Sequence, residues 1–173
     1  MHCDRLLKKV ASGDREAFTE LYESTRSMVF LTVLSVVKDR HAAEDLMQET
    51  FLTVYRTAGN FSGRGGKTWR AAIARNKAVD YLRRKKFEFS VDEKLSEPLF
   101  GAASFEEQFH DQLVLRTALE QLEAADREVL LLSHSGLKQR EIAKLTGQPA
   151  GTVAWRCRRA LKKLSALLKE VEG

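Results

Sequence analysis

Helix-breaking features are scarce in this sequence, and that scarcity restricts the fold more than any other property. Proline occurs at only two of the 173 positions, Pro98 and Pro149, and no useful length alternates between apolar and polar residues. Proline disrupts the preceding helical turn, and a period of two is the pattern of a half-buried strand. Because apolar residues instead recur at helical spacing, the sequence predicts an all-α protein.

Charge is distributed unevenly and divides the chain into three parts. Residues 1–87 carry 17 basic and 10 acidic side chains, residues 88–111 carry one and seven, and residues 112–173 carry 11 and seven. The helical pattern also dissolves in the middle part. We therefore predict two small helical domains, 1–87 and 112–173, joined by a flexible acidic linker, 88–111. Basic domains favour polyanions such as nucleic acid, although solvated surface charge gives the same composition.

Several classes of protein are disfavoured by what the sequence lacks. Cys3 and Cys157 are too far apart for a zinc motif or a disulfide framework, and the four histidines lack ligand spacing. His2 and Cys3 are neighbours but would make a poor metal site at a frayed terminus, so we expect no metal and no cofactor. We find no paired carboxylates, nucleophile–base set or phosphate-binding glycine loop, which argues against an enzyme. Neither a signal peptide nor a membrane-spanning run is evident, which predicts a soluble cytoplasmic protein.

The first domain is predicted to contain four helices. A short helix ends at Gly13, Asp14 can cap the second, and Asp39 can cap the third, which runs to about Ala58. The stretch Met28–Val37 is apolar nearly all round and should be the central buried helix. Four glycines in Gly59–Thr68 predict a flexible loop before the fourth helix.

The third predicted helix has two unlike faces. Apolar and aromatic residues at helical spacing should face the core: Met47, Phe51, Val54, Tyr55 and Ala58. The other side carries two carboxylates, an amide and a leucine: Asp45, Gln48, Glu49 and Leu52. An acidic face in a basic domain suits a protein partner that carries arginines. The alternative, that acids near a helix N-terminus favour the helix dipole, explains Asp45 but not Glu49.

The fourth helix places two polar residues on a stripe that we predict to be apolar. Asn76 and Asp80 share helical spacing with Trp69, Ile73 and Val79. An amide offers both a donor and an acceptor, as the edge of an unstacked base requires, and Trp69 or Phe61 could stack on such a base. The alternative is a network in which Asp80 pairs with Arg84 and Asn76 bonds to Asp80.

The C-terminal part fits a helix-turn-helix motif. A short helix is followed by a turn at Gly147, and Pro149 lies near the first position of a second helix, where proline is tolerated. Residues of that second helix at core spacing are Val153, Cys157, Ala160, Leu161, Leu164 and Leu168. Cys157 therefore fits a small buried hydrophobe better than a redox sensor.

The opposite face of the second helix is basic and carries a tryptophan. It comprises Thr152, Trp155, Arg156, Arg159 and Lys163, with Arg158 and Lys162 on its flanks. Such a helix suits a DNA major groove, with its first turns at base edges and its later cations at phosphates. An amphipathic bundle helix with a solvated basic side is the alternative.

Together these segments resemble the extracytoplasmic-function (ECF) group of bacterial sigma-70-type sigma factors. The stretch "AAEDLMQETF" resembles region 2.2, which binds the clamp helices of RNA polymerase, and Trp69 through Arg84 resembles regions 2.3 and 2.4, which open and read the −10 promoter element. The stretch "REIAKLTGQPAGTVAWRCRRALKKL" resembles region 4.2, which reads the −35 element. The resemblance implies an alternative sigma factor that binds core RNA polymerase, recognises both promoter elements and promotes DNA opening, a dissociable subunit rather than an enzyme.

Site residues follow from the resemblance by matching positions. The expected polymerase-binding residues are Asp45, Gln48, Glu49 and Leu52. The expected −10 DNA-binding residues are Phe61, Arg64, Lys67, Trp69, Asn76, Asp80, Arg83 and Arg84. The expected −35 DNA-binding residues are Thr152, Trp155, Arg156, Arg158, Arg159 and Lys163. The implied partners are core RNA polymerase, promoter DNA and an anti-sigma factor in the cytoplasm; whether that factor holds the chain at a membrane is left open.

The chain departs from the family pattern at a few positions. Glu123 follows Leu122 where the family often has proline, Lys138 replaces a serine cap, and Pro149 stands where serine is common. Ala154 and Trp155 replace a usual Lys-Ser pair, and Arg70 replaces an apolar residue. A helix-turn-helix regulator that never enters polymerase is the main rival, but it leaves the acidic face and the glycine-rich loop unexplained. An anti-sigma factor is disfavoured because the common His/Cys zinc spacing is absent.

Overall fold

The computed structural model describes residues 2–88, residue 115 and residues 117–172, without the side chains of residues 87, 88, 171 and 172. The described residues form helices, turns and loops without a strand, which confirms the all-α prediction. The chain divides into two compact units, Met1–Leu95 and Ser96–Gly173. The predicted linker 88–111 lies outside the described residues, apart from Glu88 at the end of a helix.

The first unit contains helices α1 (His2–Ala11), α2 (Arg15–Val37), α3 (Arg40–Thr57) and α4 (Gly66–Glu88), with a 3₁₀ turn at Ala58–Asn60. The predicted caps are confirmed: the Asp14 and Asp39 carboxylates accept hydrogen bonds from the backbone N–H groups of Ala17 and Ala42, both at 2.9 Å. The predicted loop Gly59–Thr68 is shorter than expected because its last three residues begin α4.

Helix α2 is the centre of the first unit. Between Met28 and Val37 every side chain is buried or half-buried, as the nearly continuous apolar run predicted. The helix packs against α1, α3 and α4. Thr32 and Ser35 are buried there, and their hydroxyls donate to the helix carbonyl oxygens of Met28 and Thr32, both at 2.8 Å. These bonds allow hydroxyl groups inside an apolar core.

Helix α4 turns a different face inward from the one that its large apolar residues predicted. Its buried positions are Gly66, Arg70, Ala71, Ala74 and Ala78. Asn76 and Asp80 are exposed, so their predicted place on the inward stripe was wrong. Small side chains let the backbone of α4 lie close to its neighbours, and this close approach outweighs the burial of larger residues. Trp69 and Ile73 are half-buried and pack at the edge of the core.

The start of α4 is anchored by a residue from α1. The backbone N–H of Gly66 donates to the Asp4 carboxylate at 2.6 Å. A Cβ atom at position 66 would lie 2.6 Å from Leu7 Cδ1 and 2.7 Å from Asp4 Oδ1, so only glycine fits this contact without a shift. The carboxylate satisfies a free donor of the first helical turn and favours the helix dipole. This bond fixes the end of the preceding glycine-rich loop.

Arg70 is buried beside a thiol. Only 5% of the residue is exposed, its Nη1 donates to Cys3 Sγ at 3.4 Å, and its Nε has no hydrogen-bond partner among the described residues. Burial lowers the pKa of Arg70 and raises the pKa of Cys3. A buried guanidinium that meets a thiol rather than a carboxylate is a poorly compensated charge, and it should destabilise the unit.

The second unit contains helical residues 117–120 and helices α5 (Ala124–His134), α6 (Gln139–Thr146) and α7 (Ala150–Glu172). The predicted turn is confirmed at Gly147, whose φ of 69° favours glycine. Pro149 lies just before the first residue of α7, as predicted, and its carbonyl oxygen accepts the Val153 N–H at 3.0 Å.

The second unit has its own core, formed where α5 meets α7 and the residues that precede α5. Buried Leu119, Leu122, Leu130 and Ala160 form a cluster against which Cys157 and Leu164 pack. Cys157 thus packs against the core as predicted, although it is half-buried rather than buried. Leu161 is 52% exposed, so its predicted core position was wrong.

A buried carboxylate joins α5 to α7. The Asp126 side chain is only 5% exposed and accepts hydrogen bonds from Arg156 Nη1 at 2.9 Å and Arg159 Nε at 2.5 Å. The exposed Glu123 carboxylate also pairs with both arginines. Burial acts to raise the pKa of Asp126, but the hydrogen bonds from Arg159 and Arg156 outweigh it, and the pKa lies below its ordinary value.

Replacing Arg70 with methionine should stabilise the first unit. Methionine fills a similar volume without burying a charge or an unpaired Nε, so the free energy of unfolding should rise by about 1–2 kcal/mol. Urea unfolding followed by Trp69 fluorescence in a Trp155→Phe background measures the change. Arg70→Ala, which also removes volume, should be less stable than Arg70→Met. A lower unfolding midpoint for the methionine variant than for the parent would contradict the prediction.

Replacing Asp126 with asparagine should destabilise the second unit by roughly 3 kcal/mol at neutral pH, because two arginines lose their buried partner. Since the folded pKa of Asp126 is lowered, its contribution exists above the unfolded pKa of about 3.9 and is lost as pH falls through the folded value. The variant should therefore lose less stability than the parent as pH falls below about 4. Urea unfolding followed by Trp155 fluorescence in a Trp69→Phe background tests both statements.

Glu123→Gln is the matched control for Asp126, since it removes a carboxylate from the same pair of arginines. The Glu123 side chain is 58% exposed, and exposed ion pairs contribute about 1 kcal/mol or less. Equal losses of stability for Glu123→Gln and Asp126→Asn would show that burial does not set the strength of this network.

Candidate functional site

Helix α3 presents the predicted acidic surface to solvent. Asp45, Gln48, Glu49 and Leu52 are all exposed, and we call these four residues the acidic face. Leu52 is 54% exposed, which is unusual for a large apolar side chain. Tyr55, predicted to face the core, is exposed one turn beyond Leu52, while Leu46 and Thr50 occupy the core instead. The exposed surface therefore combines carboxylates with two large side chains.

The acidic face borders a cleft between α3 and the end of α4. The cleft has a volume of about 530 Å³. Its lining residues are Asp39, His41, Ala42, Asp45, Leu46, Glu49, Tyr81, Arg84 and Lys85. Lys77 Nζ reaches Glu49 Oε2 at 3.4 Å, and Lys85 Nζ lies 3.9 Å from Asp39. One wall is thus mainly acidic and the other contains cations, which suits a polar side chain from a partner better than an apolar one.

An aromatic pair lies at the start of α4. The ring centroids of Phe61 and Trp69 are 5.5 Å apart with a 47° angle between the planes, and both residues are half-buried against the cluster formed with α1. Arg64 and Lys67 are exposed beside them in sequence. The loop that precedes α4 therefore joins two aromatic rings to two cations.

The exposed stripe of α4 continues from this aromatic pair. Asn76, Val79, Asp80 and Arg83 are all exposed along it. Asp80 accepts a hydrogen bond from Arg83 Nη2 at 2.7 Å, so its partner is Arg83 rather than the predicted Arg84. Arg84 lines the cleft beside the acidic face instead. Of the expected −10 residues, Trp69, Asn76, Asp80 and Arg83 thus follow one face of α4, while Phe61 and Arg64 lie in the preceding loop and Arg84 lines the cleft.

The basic surface of α7 is rotated by about one residue from its predicted position. Its exposed stripe is Gly151, Trp155, Arg158 and Lys162. Arg156 is largely buried, and both Arg156 and Arg159 are paired with Asp126 and Glu123. Lys163 Nζ donates to the Gln121 carbonyl oxygen at 2.7 Å, and Thr152 is half-buried. Within the described residues, Trp155 and Arg158 are the members of the predicted set that are exposed and make no hydrogen bond or ion pair with a carboxylate or carbonyl group.

Several residues of these surfaces were missed by sequence reasoning. Gly151 lies four residues before Trp155 on the exposed stripe of α7, and Lys162, predicted only to flank the basic face, lies seven residues after Trp155 on the same stripe; that pattern was available in the sequence. Asp126 and Glu123 are separated by 30 or more positions from the arginines that they bind. No local pattern reports a contact between residues so far apart.

The described part of the chain contains neither a cluster of three metal-binding side chains nor a helix long and apolar enough to cross a bilayer. Its exposed titratable groups are distributed as surface patches and ion pairs. Such patches fit the binding of polyelectrolytes and proteins.

Family models match both units. The model for sigma-70 region 2 matches residues 21–88, which include α3 and α4, and the model for sigma-70 region 4 matches residues 112–164, which include α5, α6 and most of α7. The acidic face, the exposed stripe of α4 and the exposed stripe of α7 all lie inside these matched segments. The chain thus carries a region 2 segment followed by a region 4 segment. The acidic face and the exposed stripe of α4 lie in the first segment, and the exposed stripe of α7 lies in the second.

Comparison with individual proteins gives the same answer. The chain is 32% identical over 151 residues to the ECF RNA polymerase sigma factor SigM of Bacillus subtilis (strain 168). The aligned region covers 84% of this chain and 93% of SigM. It is 38% identical over 82 residues to the ECF sigma factor SigK of Mycobacterium bovis. This aligned region covers 46% of this chain and 44% of SigK.

Solved structures extend the comparison to the fold. RpoE of Bartonella quintana, in complex with the anti-sigma factor NepR, is similar with a TM-score of 0.70 and 25% identity over 88% of this chain and 96% of RpoE. CnrH, in complex with the cytosolic domain of CnrY, is similar with a TM-score of 0.66 and 25% identity over 98% of this chain and 99% of CnrH. Surfaces, family models and full-length relatives agree, and this chain belongs to the extracytoplasmic-function group of the sigma-70 family of RNA polymerase sigma factors.

Proposed function

We propose that this sigma factor divides promoter recognition between three helices. The acidic face of α3 binds core RNA polymerase, the exposed stripe of α4 with the Phe61–Trp69 pair captures −10 bases, and the exposed stripe of α7 docks on the −35 element. The protein acts in the cytoplasm as a dissociable polymerase subunit and has no catalytic role of its own. The observation that carries the proposal is an exposed acidic surface that includes Leu52, in a unit that is otherwise basic.

The composition of the acidic face supports a protein partner rather than DNA. Carboxylates repel phosphates, whereas paired with arginines they accelerate encounter and fix register. An exposed leucine and a tyrosine add the apolar contact that a stable interface needs at its centre. Glu49 already lies near Lys77, but this pair is long and solvent-exposed, so exchanging it for a partner's cation costs little.

The proposed −10 role of α4 depends on exposed groups that suit unpaired bases. Asn76 presents hydrogen-bond donors and an acceptor to solvent, and the Phe61–Trp69 pair offers aromatic surface near the glycine-rich loop that precedes α4. DNA stacking contributes roughly 1.4 kcal/mol per step, and stacking on a protein ring returns roughly 1–3 kcal/mol per base. Opening several steps exceeds what this surface supplies alone. Polymerase must contribute, and the free protein should bind promoters weakly.

The proposed −35 role belongs to the start of α7. Its exposed stripe follows a helix-turn-helix turn and carries Trp155, Arg158 and Lys162, so base contact near the start and phosphate contact further along are both available. An anti-sigma partner is also part of the proposal. RpoE of Bartonella quintana, a solved structure to which the chain is similar, is in complex with the anti-sigma factor NepR.

Reversing charge on the acidic face should abolish polymerase binding. Asp45→Arg and Glu49→Arg replace attraction by repulsion at exposed positions, so the fold should persist while co-purification with core RNA polymerase fails. Glu23→Arg on α2 is the matched control, because it makes the same charge change at an exposed site outside the acidic face. Wild-type recovery of core enzyme with either α3 variant would contradict the proposed interface.

Removing the Asn76 amide should impair opening more than docking. We expect Asn76→Ala to reduce open complexes by an amount equivalent to about 1–3 kcal/mol, the usual strength of a bidentate base contact, while occupancy of the −35 duplex stays near the parental level. Permanganate footprinting reports opened thymines, and DNase footprinting reports duplex docking. Asn76→Asp, which keeps the shape but loses the donor, should resemble the alanine variant. Parallel losses in both footprints would argue against base capture by Asn76.

A further inference from the structure

Trp155 is an exposed aromatic residue with a fixed support. Trp155 is 48% exposed on the exposed stripe of α7. The guanidinium carbon of Arg159 lies 4.3 Å from the centre of the Trp155 ring. Stacking of a guanidinium on an indole face is favourable, especially where the cation is already partly desolvated. One face of the ring is therefore covered by Arg159, and the rest remains available to a ligand.

The support of Trp155 is itself anchored in the core of the second unit. Arg159 donates to buried Asp126 and also pairs with Glu123, which closes a chain from the protein interior to the indole ring. A side chain that is held in this way loses little conformational entropy when it binds. Glu123 stands where the resemblance leads us to expect proline, so this chain has a second carboxylate at the point where the support is attached.

The surface next to Trp155 is open. Side chains on a helix lean towards its N-terminus, so Trp155 leans over the turn that contains Gly151. A Cβ atom at Gly151 would meet nothing within 4 Å, and the position lies on the same exposed stripe. A groove edge can therefore approach the helix backbone closely beside the indole ring.

We propose that Trp155 is a specificity-determining residue that recognises the C5-methyl group of a thymine in the −35 element, with Arg159, Asp126 and Glu123 as its positioning residues. This inference rests on the proposed docking of α7 on the −35 duplex. An indole has a single N–H donor and no acceptor, so it cannot form the bidentate hydrogen bonds by which arginine or asparagine identifies a base. The apolar group that the major groove offers is the thymine methyl.

The proposal also accounts for the arginines of α7. Arg156 and Arg159 are held by carboxylates of their own unit, so a contact from either one to a guanine would compete with Asp126 and Glu123 for the same guanidinium group. Because these two arginines bind carboxylates of the protein itself, recognition of bases is left to the exposed stripe of α7. On that stripe Trp155 is the side chain nearest the start of α7, where base edges are contacted.

The test replaces thymine by deoxyuridine, which lacks only the C5-methyl group. A promoter is first selected from templates with a randomised −35 region by transcription with core polymerase and the full-length protein. Each −35 thymine is then replaced singly, on either strand, and occupancy of the holoenzyme is measured. Loss of one buried methyl contact should weaken binding about fourfold, equal to about 0.8 kcal/mol, at one or two positions.

Variants of Trp155 identify the residue that detects the methyl group. Trp155→Ala should bind the thymine and uracil templates equally, and Trp155→Phe should keep part of the preference. The proposal is overturned if no −35 thymine shows a methyl effect with the parent protein, or if the alanine variant retains the full effect. It is equally overturned if 7-deazaguanine replacement, and not uracil, reveals the Trp155-dependent position. Absence of any transcript from the library would instead overturn the proposed function itself.

The positioning role of Arg159 has its own readout. Arg159→Met removes the stacked guanidinium and its bonds to Asp126, and the thymine-to-uracil ratio should fall towards one. Arg158→Met is the matched control, because Arg158 is an exposed arginine on the same stripe that takes no part in the Asp126 network. It should weaken binding to both templates alike and reduce the salt dependence, while the ratio stays unchanged. Equal effects of the two variants on the ratio would remove Arg159 from this role.

Discussion

Close packing of α4 by small side chains is the constraint on which the first unit depends. Ala71, Ala74 and Ala78 let the helix backbone lie against α2 and α3, and Gly66 does the same against α1 at the helix start. Because so little side-chain volume is needed inside, the larger residues of α4 other than Arg70 are left at its edge or on its outer face. The polar groups that suit bases are thus exposed as a consequence of packing, and the same packing brings α4 beside the acidic face of α3.

The second unit depends on a different constraint, because the many cations of α7 repel one another. Burying Asp126 would be unfavourable alone, but two arginines of α7 compensate it and in return hold the helix in register with α5. Arginines that composition alone would assign to DNA are therefore structural. The exposed stripe that remains has fewer cations, which lowers the sequence-independent part of DNA affinity and leaves more of the recognition to shape and apolar contact.

Local features of the fold could be predicted from the sequence, and features set by distant contacts could not. The caps at Asp14 and Asp39 and the turn at Gly147 depend on residues within one helical turn, so their patterns are visible in sequence. The inward face of α4 was misassigned because alanine is a weak hydrophobic signal beside Trp69 and Ile73, although alanine permits the closer packing. Tyr55 and Leu161 were assigned to the core by the same bias towards large apolar residues. Exposure was predicted correctly for the acidic face of α3, where charge marks the outer side, and less well on α7, where charge is divided between structure and surface. The binding roles assigned to these surfaces stay predictions.

The two units also differ in what they can do without polymerase. Duplex docking by α7 needs no change in the DNA, so its contacts can be favourable as soon as they form. In the proposed function, base capture by α4 needs an unstacked strand, and its cost exceeds the stacking and hydrogen bonding assigned to the Phe61–Trp69 pair and Asn76. The proposed arrangement therefore takes promoter specificity from duplex docking by α7 and needs polymerase to supply the free energy of opening at α4. The acidic face is placed to couple the two, because it adjoins α4 through the contact between Lys77 and Glu49, so that polymerase at the proposed interface would lie beside the proposed base-binding helix.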